Sequence, residues 1–407
     1  MVDIAALTDR AGAGELTVQL KLAGLYEIGA GVPVDRGKAA HWYRMAAEQG
    51  DANAQSRLGQ MYIRGFGVPR DHKAAVEWLQ KAAQQGNRAA QANLAWCFQE
   101  GVGTGQAINK AMEWYEKAAI QGHAGASYNL GYIYANGIGV DRDEEQALHW
   151  YKQAAQQGHQ KAQHNLAIMY EQGIGTAQDY AAAVKWYTAA AVQGFPRSQY
   201  NLARMYSDGT GVGKDYQPAF KWYTQAAGSG YYKGQYNLGL FYLHGLGVDK
   251  DYSQAYKMFR AAAEQGYPKA YYQLGKMYAR GRGVDVNEIE SAKHFQLAAE
   301  RGYAKAQHRL ARLYLQGQGV RKDAAVACQW LEKSARKGYA GALYDLGICY
   351  AKGTGVNMNL QAAYAVFTLF NETGKRDISR LIRKLGQGLG ELGIEEARKL
   401  ADKWRHQ

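Results

Sequence analysis

The sequence predicts an all-α chain, an α-solenoid of two-helix, 36-residue repeats, and three observations carry that prediction. Gly-x-Gly tripeptides begin at Gly29, Gly65, Gly101, Gly137, Gly173, Gly209, Gly245, Gly281, Gly317 and Gly353, every step 36 residues. A second glycine column keeps the same period from Gly14 and Gly50 to Gly374. A leucine column from Leu22 to Leu346 and an aromatic column from Tyr26 to Tyr350 run in register with both. Four columns in step define a repeat array. The composition agrees. With 49 Gly but only 5 Pro, the chain reads as regularly punctuated helices rather than collagen or a flexible linker. Apolar residues at 47% are enough to bury a core, which excludes wholesale disorder.

Within one unit, Ala54, Leu58, Met61 and Tyr62 fall at i, i+4, i+7 and i+8, the stripe of a first helix. Gly65 to Val68 ends it, because glycine takes the left-handed conformation at a helix C-terminus without a Cβ penalty. The next column reads Asp35, Asp71, Ala107, Asp143, Asp179, Asp215, Asp251, Asn287, Asp323 and Asn359, and Asp or Asn is the residue that caps a following helix. Ala75, Trp78, Leu79, Ala82 and Ala83 form the stripe of that second helix, which stops at Gly86. Gly59 belongs to a column of only Gly or Ala, so backbones approach closely there. Residues 15–374 therefore hold ten repeats. Residues 1–14 align with the tail of a second helix, Ala11 matching Ala47, so the chain begins in mid-repeat. This half-repeat is either an N-terminal cap or the remainder of a longer chain. In 375–407, Ile378, Leu381, Ile382, Leu385 and Leu389 give one more amphipathic helix, and Ala397, Leu400, Ala401 and Trp404 give a last one that closes the array.

Stretches such as AVEWLQKAAQQGNRAAQANLAWCFQEGVG resemble the Sel-one-like repeat family, relatives of the tetratricopeptide repeats. The resemblance covers nearly the whole chain. It implies a right-handed superhelix whose first helices line a concave face. It also implies a bacterial scaffold or adaptor that holds a protein or peptide in that groove. The alternative it offers is an immunity or antagonist protein that wraps a secreted toxin.

No catalytic constellation, cofactor motif or metal set stands out. Each Gly-x-Gly follows a helix, whereas a dinucleotide loop follows a strand. His123 and His159 share a column, but no further ligand recurs beside them. Cys97 and Cys349 share an apolar column, and Cys328 sits in another; whether Cys328 and Cys349 pair is left open. The N-terminus MVDIAALTDR shows neither a basic nor an apolar signal region, and no run of 18 apolar residues occurs. The expected location is cytoplasmic or periplasmic, with an upstream segment still conceivable because the chain starts inside a repeat.

Specificity is expected where repeats differ, since packing does not dictate those positions. Three first-helix columns are expected on the face opposite the core stripe. One contains Tyr128, Tyr200, Tyr236 and Tyr272. Another contains Trp96, Tyr132, Arg204, Lys276 and Arg312. The third contains Lys161, Arg197, Lys233, Lys269 and Lys305. Trp, Tyr and Arg are the usual anchors of interfaces. The competing view of the tyrosine ladder is repeat consensus that holds neighbouring helices together. Charge is uneven: residues 1–200 hold 18 basic and 18 acidic groups, residues 201–407 hold 31 and 18, so the net +13 lies in the second half. The expected partner is a protein or peptide with an acidic surface, complementary to that field. Nucleic acid is the rival, since tyrosines beside Lys and Arg imitate a stacking surface, but no nucleic-acid module accompanies them. Solvated charge kept for solubility is the remaining explanation.

Overall fold

The computed structural model describes residues 3–405. Among them lie twenty-two helices and no strand. The ten repeats each contribute a first and a second helix. Repeat two has Ala52–Arg64 and His72–Gln84, and repeat four has Ala124–Asn136 and Glu144–Gln156. Two compact units are present. One runs to Met205 and takes in Gly209–Gly213; the other holds Tyr206–Asp208 and continues from Lys214.

The glycine and aspartate columns act locally. Gly65 has φ 69°, and its N–H donates to Met61 O. Phe66 N–H donates to the same carbonyl at 3.0 Å. The loop then folds back, Asp71 N–H donating to Tyr62 O at 3.1 Å. The Asp71 side chain accepts from Lys73 and Ala74 N–H, capping the second helix. Ala107, the exception in that column, caps nothing with its side chain. The second glycine of each tripeptide has a different task. A Cβ on Gly67 would lie 1.9 Å from Arg36 O, and one on Gly103 would lie 2.0 Å from His72 O. The loop of one repeat thus rests on the first turn of the preceding repeat's second helix.

The small column seats a large side chain twenty residues further on. A Cβ on Gly59 would meet Leu79 at 2.7 Å, on Gly131 would meet Tyr151 at 2.7 Å, and on Gly275 would meet Phe295 at 3.0 Å. Leu58, Leu130 and Leu274, which precede these glycines, are buried. A buried glutamine joins successive repeats. Gln55 donates to Ala47 O at 3.1 Å and accepts from Gln85 at 2.8 Å. Gln91 does the same with Ala83 and Gln121, and Gln163 with Ala155 and Gln193. Each relay adds a side-chain donor from the next repeat to a terminal helix carbonyl that already accepts the N–H of the glycine three residues on.

At the front, Ile4–Gly12 is helical, and Ala11, fully buried, receives the Gln19 amide at 2.9 Å as Ala47 receives that of Gln55. At the back, Ser379–Arg405 breaks at Gly390 (φ 68°, ψ 176°), a conformation essentially confined to glycine. Ile378, Ala397 and Ala401 are buried there, and Trp404 lies under the Arg336 guanidinium at 5.1 Å.

Candidate binding surface

A slot recurs between consecutive first helices, floored by the second helix of the earlier repeat. In the first slot Glu27 supplies the acid beside a remaining cavity of about 250 Å³: Tyr43 donates to Glu27 at 2.9 Å, and Arg57 Nε donates to it at 2.8 Å. Burial, and then the Glu27 carboxylate, push the Tyr43 phenol up to about 12. In repeat five Glu171 takes the same place, accepting from Tyr187 at 2.8 Å and from the Arg204 guanidinium. In repeat three Gln99 accepts from Tyr115 at 3.0 Å. In repeat four the corresponding residue is Ala135, and a cavity of about 280 Å³ remains, bounded by Tyr132, Tyr151, Asn165, Ile168 and Ile174. A cavity of about 320 Å³ at the same register in repeats nine and ten is bounded by Arg312, Asp345, Ile348 and Cys349.

The predicted aromatic positions divide. Trp96 and Tyr132 are 37% and 43% exposed, and Tyr128 and Tyr132 stack with ring centroids 6.4 Å apart. The column of Tyr128, Tyr236 and Tyr272 does not lie opposite the core. It turns toward the next repeat, where Ser56, Ala92 and His164 of the same column are buried. Tyr236 packs on Phe259 and Tyr267, and Tyr272 on Phe295 and Tyr303, all at 5.2–5.7 Å. These rings are rungs between repeats. Tyr200, in the same column, is half-buried. His164 lies 2.9 Å from Ser198 Oγ, and burial lowers its pKa to about 4. His123 and His159 cap first helices, each Nδ1 accepting a backbone N–H, and burial lowers both pKa values. That task accounts for their shared column.

The basic positions also divide. Arg204 is half-buried and neutralised by Glu171. Lys161, Arg197, Lys269, Lys305 and Arg312 are exposed. The Lys233 ammonium lies over Tyr232 at 6.0 Å, and that of Lys276 over Tyr272 at 5.8 Å. Burial, and then the charges of Arg280, Lys305 and Arg282, lower the Lys276 pKa. Among the described residues none of these four forms an ion pair. From repeat six onward the first-helix N-caps are Phe195, Tyr231, Tyr267, Tyr303 and Tyr339, whose side chains accept no first-turn hydrogen bond. Cys328 and Cys349 are free thiols, and Cys328 Sγ donates to Thr354 O at 3.0 Å. Among the described residues no helix is long and apolar enough to cross a membrane.

Sequence reasoning missed the slot, because its residues sit in separate columns and meet only across a repeat boundary. The available signal was covariation inside the array: Tyr43, Tyr115 and Tyr187 each stand sixteen residues after Glu27, Gln99 and Glu171.

Ten stretches match the Sel1 repeat: residues 18–51, 52–87, 88–123, 124–159, 160–195, 196–231, 233–267, 268–303, 304–339 and 340–365. The crystal structure of a protective antigen present in uropathogenic Escherichia coli strains, displaying an SLR fold, is 31% identical over 99% of this chain and 94% of its own, with a TM-score of 0.85. That of a Sel1 repeat protein from Oxalobacter formigenes is 33% identical over 76% of this chain and 90% of its own, with a TM-score of 0.59. An immunity protein from Pseudomonas aeruginosa is 24% identical over 54% of this chain and 81% of its own, with a TM-score of 0.33, too low to argue from. A comparison with curated proteins finds no match. Since the matched stretches cover most of the residues and coincide with the observed helix pairs, the chain belongs to the Sel1 repeat family.

Proposed function

We propose that the chain is a non-catalytic scaffold that binds a protein or peptide with an acidic surface along the first-helix face of each unit. One observation carries this reading. The residues that repeat are consumed by packing, while several of those that differ stand exposed: Trp96 and Tyr132 in the first unit, Lys269, Lys305 and Arg312 in the second. Packing gains nothing from an exposed Trp or from crowded like charges. Lys276, Arg280, Arg282 and Lys305 repel one another in the free protein, and an acidic partner reverses the sign of that interaction. The two narrower roles differ in outcome: an antagonist inhibits a toxin enzyme encoded beside it, and an adaptor does not.

The test uses the full chain as bait, with Trp96→Ala and Lys233→Glu/Lys269→Glu variants in parallel. A partner retained by the wild type is then followed kinetically. Trp96→Ala is expected to raise the dissociation rate tenfold or more, at the scale of an interface anchor of about 2 kcal/mol. The charge reversal is expected to slow association and flatten its salt dependence. Thermal midpoints should stay close to wild type, since the side chains are not in the core. Unchanged kinetics in both variants would place the interface elsewhere, on the second helices or the C-terminal helices.

A further inference from the structure

We propose that the slot at Ala279, between the first helices of repeats eight and nine, receives a carboxylate side chain from an acidic segment of the partner protein. The inference rests on the scaffold reading and names one contact within it. In two other slots the array supplies the carboxylate itself. Glu27 meets an arginine thirty residues later, Arg57, and Glu171 meets one thirty-three residues later, Arg204. Counting the same intervals from position 279 reaches Arg309 and Arg312. Both cationic positions are therefore filled, while the acidic one is alanine. The Arg309 guanidinium lies over Phe295 at 5.8 Å, and Phe295 is the floor residue that corresponds to Tyr43 and Tyr187. Arg309 thus sits inside the slot, above a ring that has lost its hydroxyl.

The surroundings add positive charge. Lys276 and Arg280 lie in the last turns of the first helix of repeat eight, Lys305 in the first turn of that of repeat nine, and burial together with the charges of Arg280 and Lys305 lowers the Lys276 pKa. The rim acid at this register, Glu288, is exposed. Among the described residues Glu288 forms no ion pair with any of these cations. With arginine at both cationic registers, Arg309 over the floor ring and Arg312 also bordering the next cavity, and with no acid at position 279, the slot resembles the Glu27 and Glu171 sites with the anion removed. Arginine forks match carboxylates in paired hydrogen bonds. The occupant is an Asp or Glu side chain rather than a phosphate, because at both equivalent registers the slot holds a glutamate carboxyl group.

The test supplies the missing acid within the chain. Ala279→Glu is expected to raise the thermal midpoint of the full-length protein by about 2–4 °C. Ala279→Gln should not, and the gain should vanish when Arg309 and Arg312 are both replaced by Ala. A fluorescein-labelled deca-glutamate peptide should bind the wild type at low salt and bind Ala279→Glu at least tenfold more weakly. A labelled ten-nucleotide single-stranded RNA serves as the comparison. No rise in midpoint, or no binding of the peptide to the wild type, overturns the proposal. Binding of the RNA in preference to the peptide overturns it as well and favours nucleic acid. If Ala279→Glu leaves peptide binding unchanged while Lys233→Glu/Lys269→Glu weakens it, the slot is overturned and the scaffold reading stands.

Discussion

Replacing Gly103 with Ala should destabilise the array by roughly 3 kcal/mol or more, whereas Gly101→Ala, two residues away, should cost about 1 kcal/mol. Both glycines have positive φ, 70° and 71°, so both variants carry the strain of a side chain in the left-handed region. They differ in what the new Cβ meets. At Gly101 the nearest atom is 3.4 Å away, an ordinary contact. At Gly103 the His72 carbonyl oxygen lies at 2.0 Å and its carbon at 2.5 Å. Those are backbone atoms of a helix's first turn, so relief requires the two repeats to separate. Urea unfolding of the two variants checks this. Because repeat arrays need not unfold in one step, amide exchange around His72 supplies a local reading. Equal losses from the two substitutions would mean that the loop does not bear on the preceding helix.

That contrast shows what the sequence makes legible. Helix ends and caps depend on residues a few positions apart, so the Gly65 and Asp71 columns declared their tasks directly. The amphipathic stripes did so too, because Leu58 and Leu79 are buried by the period of their own helices. Gly103 did not. Its column is as invariant as that of Gly101, yet its reason lies thirty-one residues earlier, in a backbone atom that no side-chain pattern reports. The Gln55, Gln91 and Gln163 relay was hidden for a related reason: a polar residue breaks the apolar pattern unless its hydrogen-bond partners are known.

The surface was legible only in outline. Variation between repeats marked Trp96 and Tyr132, which are exposed. The same criterion marked Tyr236 and Tyr272, which pack between repeats, because an aromatic ring serves an interface and a core equally well. Arg204 looked like part of a basic track until Glu171 was found beside it. Charge counted along a sequence cannot distinguish a neutralised arginine from an available one. Spatial pairing decides this, and it separates Arg204 from Arg309 and Arg312.

Acidification should weaken the first unit through His164. This imidazole is 7% exposed, packed between Tyr187 and Phe195, with Nδ1 2.9 Å from Ser198 Oγ. Burial is the main cause that lowers its pKa to about 4; Arg197 acts in the same direction and Glu171 opposes it. The folded protein therefore takes up a proton only near pH 4, while the unfolded chain does so near the ordinary 6.5. Between those values the unfolded state binds more protons, so stability falls as the pH falls. The loss attributable to this one residue is about 2 kcal/mol at pH 5 and about 3 kcal/mol at pH 4, relative to pH 7. Carboxylates and the other buried histidines titrate over part of the same range, so the wild type alone does not isolate the effect. His164→Tyr combined with Ser198→Ala does. It installs the residues found at the same register one repeat earlier, Tyr128 and Ala162, and leaves every other titrating group in place. Urea midpoints of both proteins measured from pH 7 down to pH 4 should diverge, the variant losing less stability by about the stated amounts. Parallel curves would show that His164 is protonated as readily in the folded array as in the unfolded chain, and that the Ser198 contact does not require a neutral ring.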